Sequence, residues 1–193
     1  MHYSRVSAFL LGGLLIGSLF MGFVATGNFQ TVNEILKSPP PQAEKMIQQL
    51  GAENARLLLL YQAGEENRLF FESWEMAQLV LGLFLAGLLF LTGKSRLLAG
   101  LAGAMVILTI FQHFKITPEL IWQGRSIDFA TVTADPAARQ QFFKLHAAYG
   151  VMEVVKLLLM VAIGVGLFPR RRRSTQRVEI DAVDYAHHRH VDG

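Results

Sequence analysis

Four long apolar runs dominate the chain, at residues 6–27, 76–93, 97–114 and 145–168. The first three carry no charged side chain, and the fourth carries only Glu153 and Lys156 apart from a histidine near its start. A bilayer core roughly 30 Å thick needs about 20 apolar residues in a helix, so each run can span it or nearly span it. The pattern predicts an all-α fold: a polytopic membrane protein with four transmembrane helices in one bundle.

Basic residues near the helix ends set the expected topology, because they prefer the cytoplasmic side of a membrane. Arg5 precedes the first run, Lys94 and Arg96 separate the second from the third, and Arg170, Arg171, Arg172 and Arg173 follow the fourth. All of them lie on one side if every run spans the bilayer. The sequence therefore predicts a multi-pass protein of the cell (inner or plasma) membrane, with both termini cytoplasmic and loops 28–75 and 115–144 on the outer side.

The same pattern divides the chain into two parts. Residues 1–169 are expected to form the membrane domain, and residues 170–193 a cytoplasmic tail that is first basic and then disordered. The four arginines that open the tail are interpreted as a topology anchor beside anionic lipid. The first run also fits a signal peptide, but such peptides have apolar regions of about 7–15 residues. Because this run is longer, we expect it to be retained as a helix.

The first outer loop is expected to be helical. Residues 28–37 extend the first helix until Pro39, Pro40 and Pro41 stop it, since proline removes a backbone donor. Residues 42–62 are rich in good helix formers and predict a further helix. Ahead of the fourth run, Asp135 and Pro136 resemble a capping residue and a first helical residue. The last helix is therefore expected to begin before the bilayer.

Composition narrows the class of protein. Hydrophobic residues make up 52% of the chain and charged residues 17%, which suits a membrane domain. The net charge of +3 comes from basic residues beside the membrane rather than on a soluble face, so no nucleic-acid partner is expected. The absence of cysteine excludes disulfides, thiolate catalysis and iron–sulfur clusters. The sequence has no phosphate-binding glycine loop, nucleophile elbow or zinc-protease motif, so an enzyme is not favoured.

Polar residues of three helices are expected to converge at the outer end of the bundle. They recur at three- and four-residue steps, which keeps them on one broad face of each helix. An ionisable group inside a bilayer is costly and usually faces the bundle or water, so these residues form the best candidate site. The cluster comprises Glu72, Glu75 and Gln78 before and in the second run, Gln112 and His113 in the third, and His146, Tyr149, Glu153 and Lys156 in the fourth.

Three interpretations of this cluster remain open. It can be interhelical packing, with Glu153 paired to Lys156 or to a glutamine, because polar side chains commonly hold membrane helices together. It can be a substrate, ion or proton pathway that uses Glu75, His113, His146 and Glu153. It can also be a metal or haem site with His113 and His146 as ligands, although no haem-attachment motif or standard metal spacing accompanies them.

The favoured function is that of an integral membrane protein without a catalytic motif, either a subunit of a membrane assembly or a small solute-handling component. Small residues at packing spacing, such as Gly13 and Gly17, suit close helix contacts. We expect partners that are other membrane proteins or further copies of the chain, besides the lipid bilayer. No metal or cofactor is favoured. The alternative is a haem- or pigment-binding electron-transfer subunit that uses His113 and His146.

Three segments also carry a family resemblance. Residues 17–25 read GSLFMGFVA, residues 116–119 read ITPE, and residues 142–159 read FFKLHAAYGVMEVVKLLL. They resemble the transmembrane protein 205-like family (domain of unknown function 4149). That family's last helix begins with a Leu-His pair, which Leu145 and His146 match.

The chain departs from the family pattern at Tyr149, where the family has a small polar residue, and at Glu153, where it has an asparagine. The long first outer loop, with its three prolines, and the Glu153–Lys156 pair also depart from it. The resemblance implies a four-helix membrane protein and brings no established reaction with it.

Overall fold

Helices account for nearly all of the described chain. The structure is a computed structural model that describes residues 2–93, 95–127 and 136–167. Within these ranges it has no strand, so the predicted all-α fold is confirmed. The elements are α1 His2–Lys37, α2 Pro41–Leu50, α3 Ala52–Thr92, α4 Arg96–Phe111, a π-helical turn Gln112–Ile116, α5 Thr117–Ile127 and α6 Pro136–Leu167.

Four helical segments of the described chain are long and apolar enough to cross a membrane: Tyr3–Lys37, Ala52–Thr92, Arg96–Ile127 and Pro136–Leu167. They contain the four apolar runs as far as those are described, so the fold is a polytopic membrane bundle. With 41 residues, α3 is roughly 60 Å long, about twice the thickness of a bilayer core. Its apolar part, residues 76–93, is about as long as a bilayer core is thick, so its first half is expected to project beyond the membrane.

The helix boundaries follow proline and glycine. α1 ends at Lys37, just before the proline triplet, as predicted. The single helix predicted over residues 42–62 is wrong, because the chain breaks at Gly51 between α2 and α3. Gly51 has a φ of 82°, a left-handed conformation that glycine adopts without a steric penalty. Residues 52–62 instead continue without interruption into the transmembrane part of α3.

Further along the chain, α6 begins at Pro136, ahead of its apolar run, as predicted. The capping role expected of Asp135 falls outside the described residues. The same holds for the tail at residues 170–193, including the arginine anchor. A turn with Gly93 at a φ of 61° ends α3, and the hydroxyl of Ser95 accepts a hydrogen bond from the Leu98 N–H at the start of α4. This short connection makes α3 and α4 antiparallel neighbours.

Buried apolar side chains fill the space between the helices in one half of the bundle. α1 packs mainly on α3, α3 on α4, and both α1 and α4 contact α6. Where the four meet, Leu14, Leu85 and Ile163 have no exposed surface. We define the apolar layer as the buried cluster Leu11, Leu14, Leu85, Leu89, Leu98, Ala102, Met105, Met160 and Ile163.

Candidate functional site

A layer of polar side chains lies next to the apolar layer inside the same bundle. On α1 it begins one helical turn after Leu14, and on α6 it ends one turn before Met160. Both transitions point to the same end of the bundle, because α1 and α6 run in opposite directions relative to it. We define the polar layer as Ser18, Glu75, Gln78, Gln112, His113, Thr117, Tyr149, Glu153 and Lys156.

Glu75 is the most enclosed carboxylate of this layer. Its side chain has no exposed surface, and both of its oxygens are engaged. The Nδ1 atom of His113 lies 2.9 Å from Oε2, and the Thr117 hydroxyl donates a 2.6 Å hydrogen bond to Oε1. The two partners come from one continuous helical segment, Arg96–Ile127. Glu75 therefore ties α3 to that segment at a point where the bundle excludes solvent.

Lys156 links the remaining helices. Its ammonium group, also without exposed surface, lies 2.7 Å from Glu153 Oε1 and donates a 2.6 Å hydrogen bond to Gln78 Oε1. The Gln78 amide donates in turn to the Ser18 hydroxyl, at 3.0 Å. The Gln112 amide donates to Glu153 Oε1, at 2.9 Å. The structure thus contains the expected contact between Glu153 and Lys156, and it extends that contact to α1, α3 and the π-turn.

Tyr149 lies between these two groups of contacts. Its ring meets Phe71 edge to face, with centroids 5.4 Å apart, and its side chain is almost fully buried. The hydroxyl lies close enough to Glu75 and Glu153 to feel both charges. Within the described residues, neither the Tyr149 hydroxyl nor the Gln112 Oε1 atom makes a hydrogen bond of good geometry, although the hydroxyl lies beside both Glu75 and Gln112. The layer therefore holds a hydroxyl and an amide oxygen that are only loosely engaged, next to two carboxylates.

The π-helical turn places the partners of both carboxylates. Pro118 has no N–H to donate to the preceding turn, so a regular α-helical ladder cannot continue through it. The Thr117 N–H donates instead to the Gln112 carbonyl, five residues back. Within this widened turn, Gln112 reaches Glu153, whereas His113 and Thr117 reach Glu75. Such turns are rare inside α-helices and often mark functional sites.

Seven of the nine predicted residues lie in this layer, and two do not. Glu72 is exposed, because two three-residue steps turn it about 120° away from Gln78 around the helix. His146 is exposed too and stacks on the Phe142 ring, with centroids 5.9 Å apart. It shares nearly the same angular position as Glu153 but lies about 10 Å before it along α6. The structure therefore does not bring Glu72 and His146 into the polar layer.

The separation of the two histidines bears on the haem alternative. His113 is turned inward to Glu75, whereas His146 is exposed on α6. Among the described residues, no group of three or more histidine, aspartate or glutamate side chains is arranged to hold a metal ion. Nothing in this arrangement favours ligation by the pair, and the alternative stays a prediction.

Sequence reasoning missed Ser18 and Thr117. Each is a small hydroxyl residue within an apolar or mixed segment, where it has no distinctive spacing of its own. A signal for Thr117 was available, because it directly precedes Pro118, which disturbs the helix at that point. Ser18 follows Gly17, the glycine at which the ring of Trp74 lies against α1. That close approach brings the Ser18 hydroxyl within reach of Gln78.

A second group of polar contacts lies on the projecting half of α3. Arg125 of α5 donates to both oxygens of Glu65, at 2.8 Å and 2.7 Å, and Arg68 pairs with the same carboxylate. Hydrogen bonds from the Arg125 guanidinium lower the pKa of Glu65 from 4.5 to about 2. Nearby, Asn67 donates to the Ala25 carbonyl and accepts from the Asn28 amide. These contacts join α1, α3 and α5 beyond the apolar part of the bundle.

Comparisons of the chain with protein-family models, curated proteins and solved structures find no match. The resemblance to the transmembrane protein 205-like family accordingly stays a prediction. The site must be interpreted from its own geometry.

Proposed function

We propose that the protein is a small solute-handling membrane protein whose polar layer binds a polar solute or ion inside the bundle. The observation that carries this proposal is the enclosure of Glu75 and Lys156, two ionisable side chains with no exposed surface in a membrane bundle. Ionisable groups at such positions are costly, and they usually belong to substrate, ion or proton pathways.

The charges of the layer favour binding over packing alone. A purely structural ion pair would be neutral, and Glu153 with Lys156 satisfies that description. Glu75 adds a second carboxylate, so the layer carries one net negative charge when His113 is neutral. The Tyr149 hydroxyl and the Gln112 oxygen, which make no hydrogen bond of good geometry within the described residues, add hydrogen-bonding capacity beside the two carboxylates. A layer built only to hold helices together would satisfy its buried groups.

We also propose a cellular location and a class of partner for the protein. Arg5 and Arg96 support a cell-membrane protein with cytoplasmic termini, so that the polar layer lies toward the outer side. Gly87, Gly100 and Gly103 face open space on α3 and α4, which suits close approach of a further helix. The protein therefore works as a component of a membrane assembly, with another membrane protein or a second copy of the chain.

A solute screen tests the binding proposal. Thermal unfolding of the full-length protein in lipid nanodiscs is measured at one pH with amino acids, polyamines, small carboxylates and monovalent cations. We expect at least one class to raise the Tm of the wild type and of Glu72→Gln, the exposed control one turn earlier on α3. The same class should leave Glu75→Gln unchanged. Equal responses of all three proteins to every compound would contradict a binding site at Glu75.

A further inference from the structure

We infer that Glu75 and His113 together form an exchangeable proton-binding site, so that the ion handled by the polar layer is a proton. This inference rests on the proposed function and names its ligand. It uses two features of the structure: the direct contact between the two side chains, and their different exposure. Neither feature depends on the contacts around Lys156.

The contact geometry suits one shared proton. His113 Nδ1 and Glu75 Oε2 are 2.9 Å apart, a normal hydrogen-bond distance. With the proton on the imidazole, Nδ1–H donates to the carboxylate. With the proton on the carboxyl, Oε2–H donates to a neutral Nδ1. The same hydrogen bond persists in both forms, so the proton can move without rearrangement of the helices.

His113 is the more exposed of the two side chains. The Glu75 side chain has no exposed surface, whereas 19% of the His113 side chain is exposed. The other carboxylate oxygen is occupied by the Thr117 hydroxyl. In the proposed site a proton enters at the Nε2 atom of His113, the ring nitrogen that does not contact Glu75, and the Nδ1 proton passes to Glu75. Loss of the Nε2 proton after the reverse transfer releases it, and no other reactant is needed.

The net charge of the polar layer favours the binding of one proton. Glu75 contacts Thr117 of α5 and lies within electrostatic reach of Tyr149 and Lys156 of α6. Lys156 in turn binds the second carboxylate, Glu153, and the uncharged Gln78 of α3, which contacts the uncharged Ser18 of α1. Two carboxylates and one ammonium leave one net negative charge. A single proton on the Glu75–His113 pair makes the layer neutral, which a low-dielectric bundle favours.

The donors around Glu75 argue against a metal cation in the same place. Hard cations require several oxygen ligands at once. One Glu75 oxygen faces a ring nitrogen and the other accepts from a hydroxyl, while Glu153 is bound to an ammonium and an amide. A cation would have to displace these donors, whereas a proton displaces none of them.

A pH-jump measurement counts the protons. The full-length protein in nanodiscs is acidified from about pH 9 to about pH 5, a range that includes imidazole titration, and uptake is read from an indicator dye. We expect the wild type and Glu72→Gln to take up about one proton per chain more than the double variant Glu75→Gln with His113→Gln, because Glu75→Gln alone leaves an imidazole that can still bind a proton. Equal uptake by the double variant and the wild type would overturn the inference. So would loss of this uptake when sodium chloride replaces choline chloride, because a metal cation would then occupy the site.

A second measurement needs only the wild-type fold. In protein labelled with [15N]histidine, the His113 ring signals are assigned by their loss in His113→Gln. We expect the Nδ1 and Nε2 signals of His113 to change with pH in the wild type as the shared proton leaves. Ring signals that stay constant over the same range would overturn the inference, whether or not Glu75→Gln folds.

The two proposals can fail separately. A compound that stabilises the wild type but not Glu75→Gln at fixed pH, with no proton uptake assigned to the Glu75–His113 pair, supports the binding site and contradicts the proton inference. Proton uptake without any stabilising compound keeps the inference, because the proton is then the solute.

Discussion

The polar layer and the apolar layer are built from the same four long helices, yet they hold those helices together in different ways. In the apolar layer, leucine, methionine and isoleucine side chains fill the space between helices without any directional contact. In the polar layer, each of five helix-to-helix contacts joins two specific polar atoms over 2.6–3.0 Å.

This difference between the two layers indicates which of them fixes the relative positions of the helices. Lipid tails are as apolar as leucine, so burial gives little drive to helix association within a bilayer. The apolar layer can then contribute only its close packing, which tolerates small shifts. A hydrogen bond between two buried groups tolerates few shifts, because a displaced helix leaves both groups unpaired. We therefore expect the polar layer to fix the helix register and the apolar layer to fill the space.

The largest loss of stability is expected from substitutions in the Glu153–Lys156 ion pair of the polar layer. Glu153→Gln leaves a fully buried ammonium without its carboxylate, and Lys156→Met leaves a carboxylate without its ammonium. Breaking one partner of a buried ion pair costs about 3–5 kcal/mol, whereas replacing both is much milder. We expect each single variant to lower the free energy of unfolding by that amount, as measured by thermal and detergent-induced unfolding.

The double variant Glu153→Gln with Lys156→Met is the control for this pair. It should recover most of the lost stability, although Gln78 also loses its contact with the ammonium. Single variants as stable as the wild type would show that water reaches Glu153, and the polar layer would then contribute little to holding the helices.

The fold could be predicted from the sequence because bilayer thickness imposes one length on every crossing helix. Charge-free runs of that length allow few alternatives. The site was predicted only in part, because a three-residue step keeps two residues near one face but lets a third drift off it. This drift places Glu72 on the exposed surface, whereas His146 lies on the face of Glu153 but about 10 Å before it along α6. The π-turn could not be predicted from spacing, since it changes the spacing itself.

The next largest effect is expected where α1 approaches α3. A Cβ atom at Gly17 would overlap the Trp74 ring, and an indole ring cannot bend away. Overpacking of this kind costs typically about 1–3 kcal/mol, and the rigid neighbour argues for the upper part of that range. Gly17→Ala should therefore destabilise the protein and weaken the Ser18–Gln78 contact of the polar layer.

Gly13→Ala is the matched control for that change. It lies one turn earlier on the same helix, and its added methyl group meets nothing within 4 Å. Thermal unfolding should place Gly13→Ala at or above the wild type and Gly17→Ala clearly below it. Equal Tm values for the two variants would show that the close approach of α1 to Trp74 does not contribute to stability.

A smaller effect is expected in the apolar layer. Leu85 has no exposed surface, so Leu85→Ala leaves a cavity among the helices. In soluble proteins such a change costs about 2–5 kcal/mol, part of which is transfer to water. In a membrane, the side chains of the unfolded state are largely surrounded by lipid, so the contribution from transfer to water is absent. Only the contribution from lost packing remains, and we expect Leu85→Ala to lower the free energy of unfolding by about 1–2 kcal/mol.

Leu83→Ala is the control, since that side chain is 59% exposed on the surface of α3. It should change the unfolding free energy far less than Leu85→Ala. If Leu85→Ala were instead more damaging than Glu153→Gln, the apolar layer would be the principal source of specificity and the comparison would be reversed.

The smallest effect is expected outside both layers, at Glu65. Its contact with Arg125 lowers its pKa from 4.5 to about 2, so the folded state prefers the ionised carboxylate. A carboxyl whose pKa is depressed by folding contributes stability above its ordinary value and loses that contribution as the pH falls toward the depressed value. The contribution of Glu65 is therefore complete above pH 4.5 and disappears by about pH 2. It is small, because more than half of the Arg125 side chain is exposed and solvent screens the pair.

Glu65→Gln should accordingly lower the Tm slightly above pH 4.5 and make no difference near pH 2. Glu66→Gln is the control, because exposed Glu66 accepts only a 3.1 Å hydrogen bond from Gln62 among the contacts that the structure describes. Its Tm difference from the wild type should not change with pH in this way. High salt should reduce the Glu65 effect, since ions screen exposed pairs, and should leave the Glu153 effect unchanged. A Glu65 effect that resists salt, or a Glu153 effect that salt abolishes, would mean that solvent does not separate the projecting contacts from the enclosed ones.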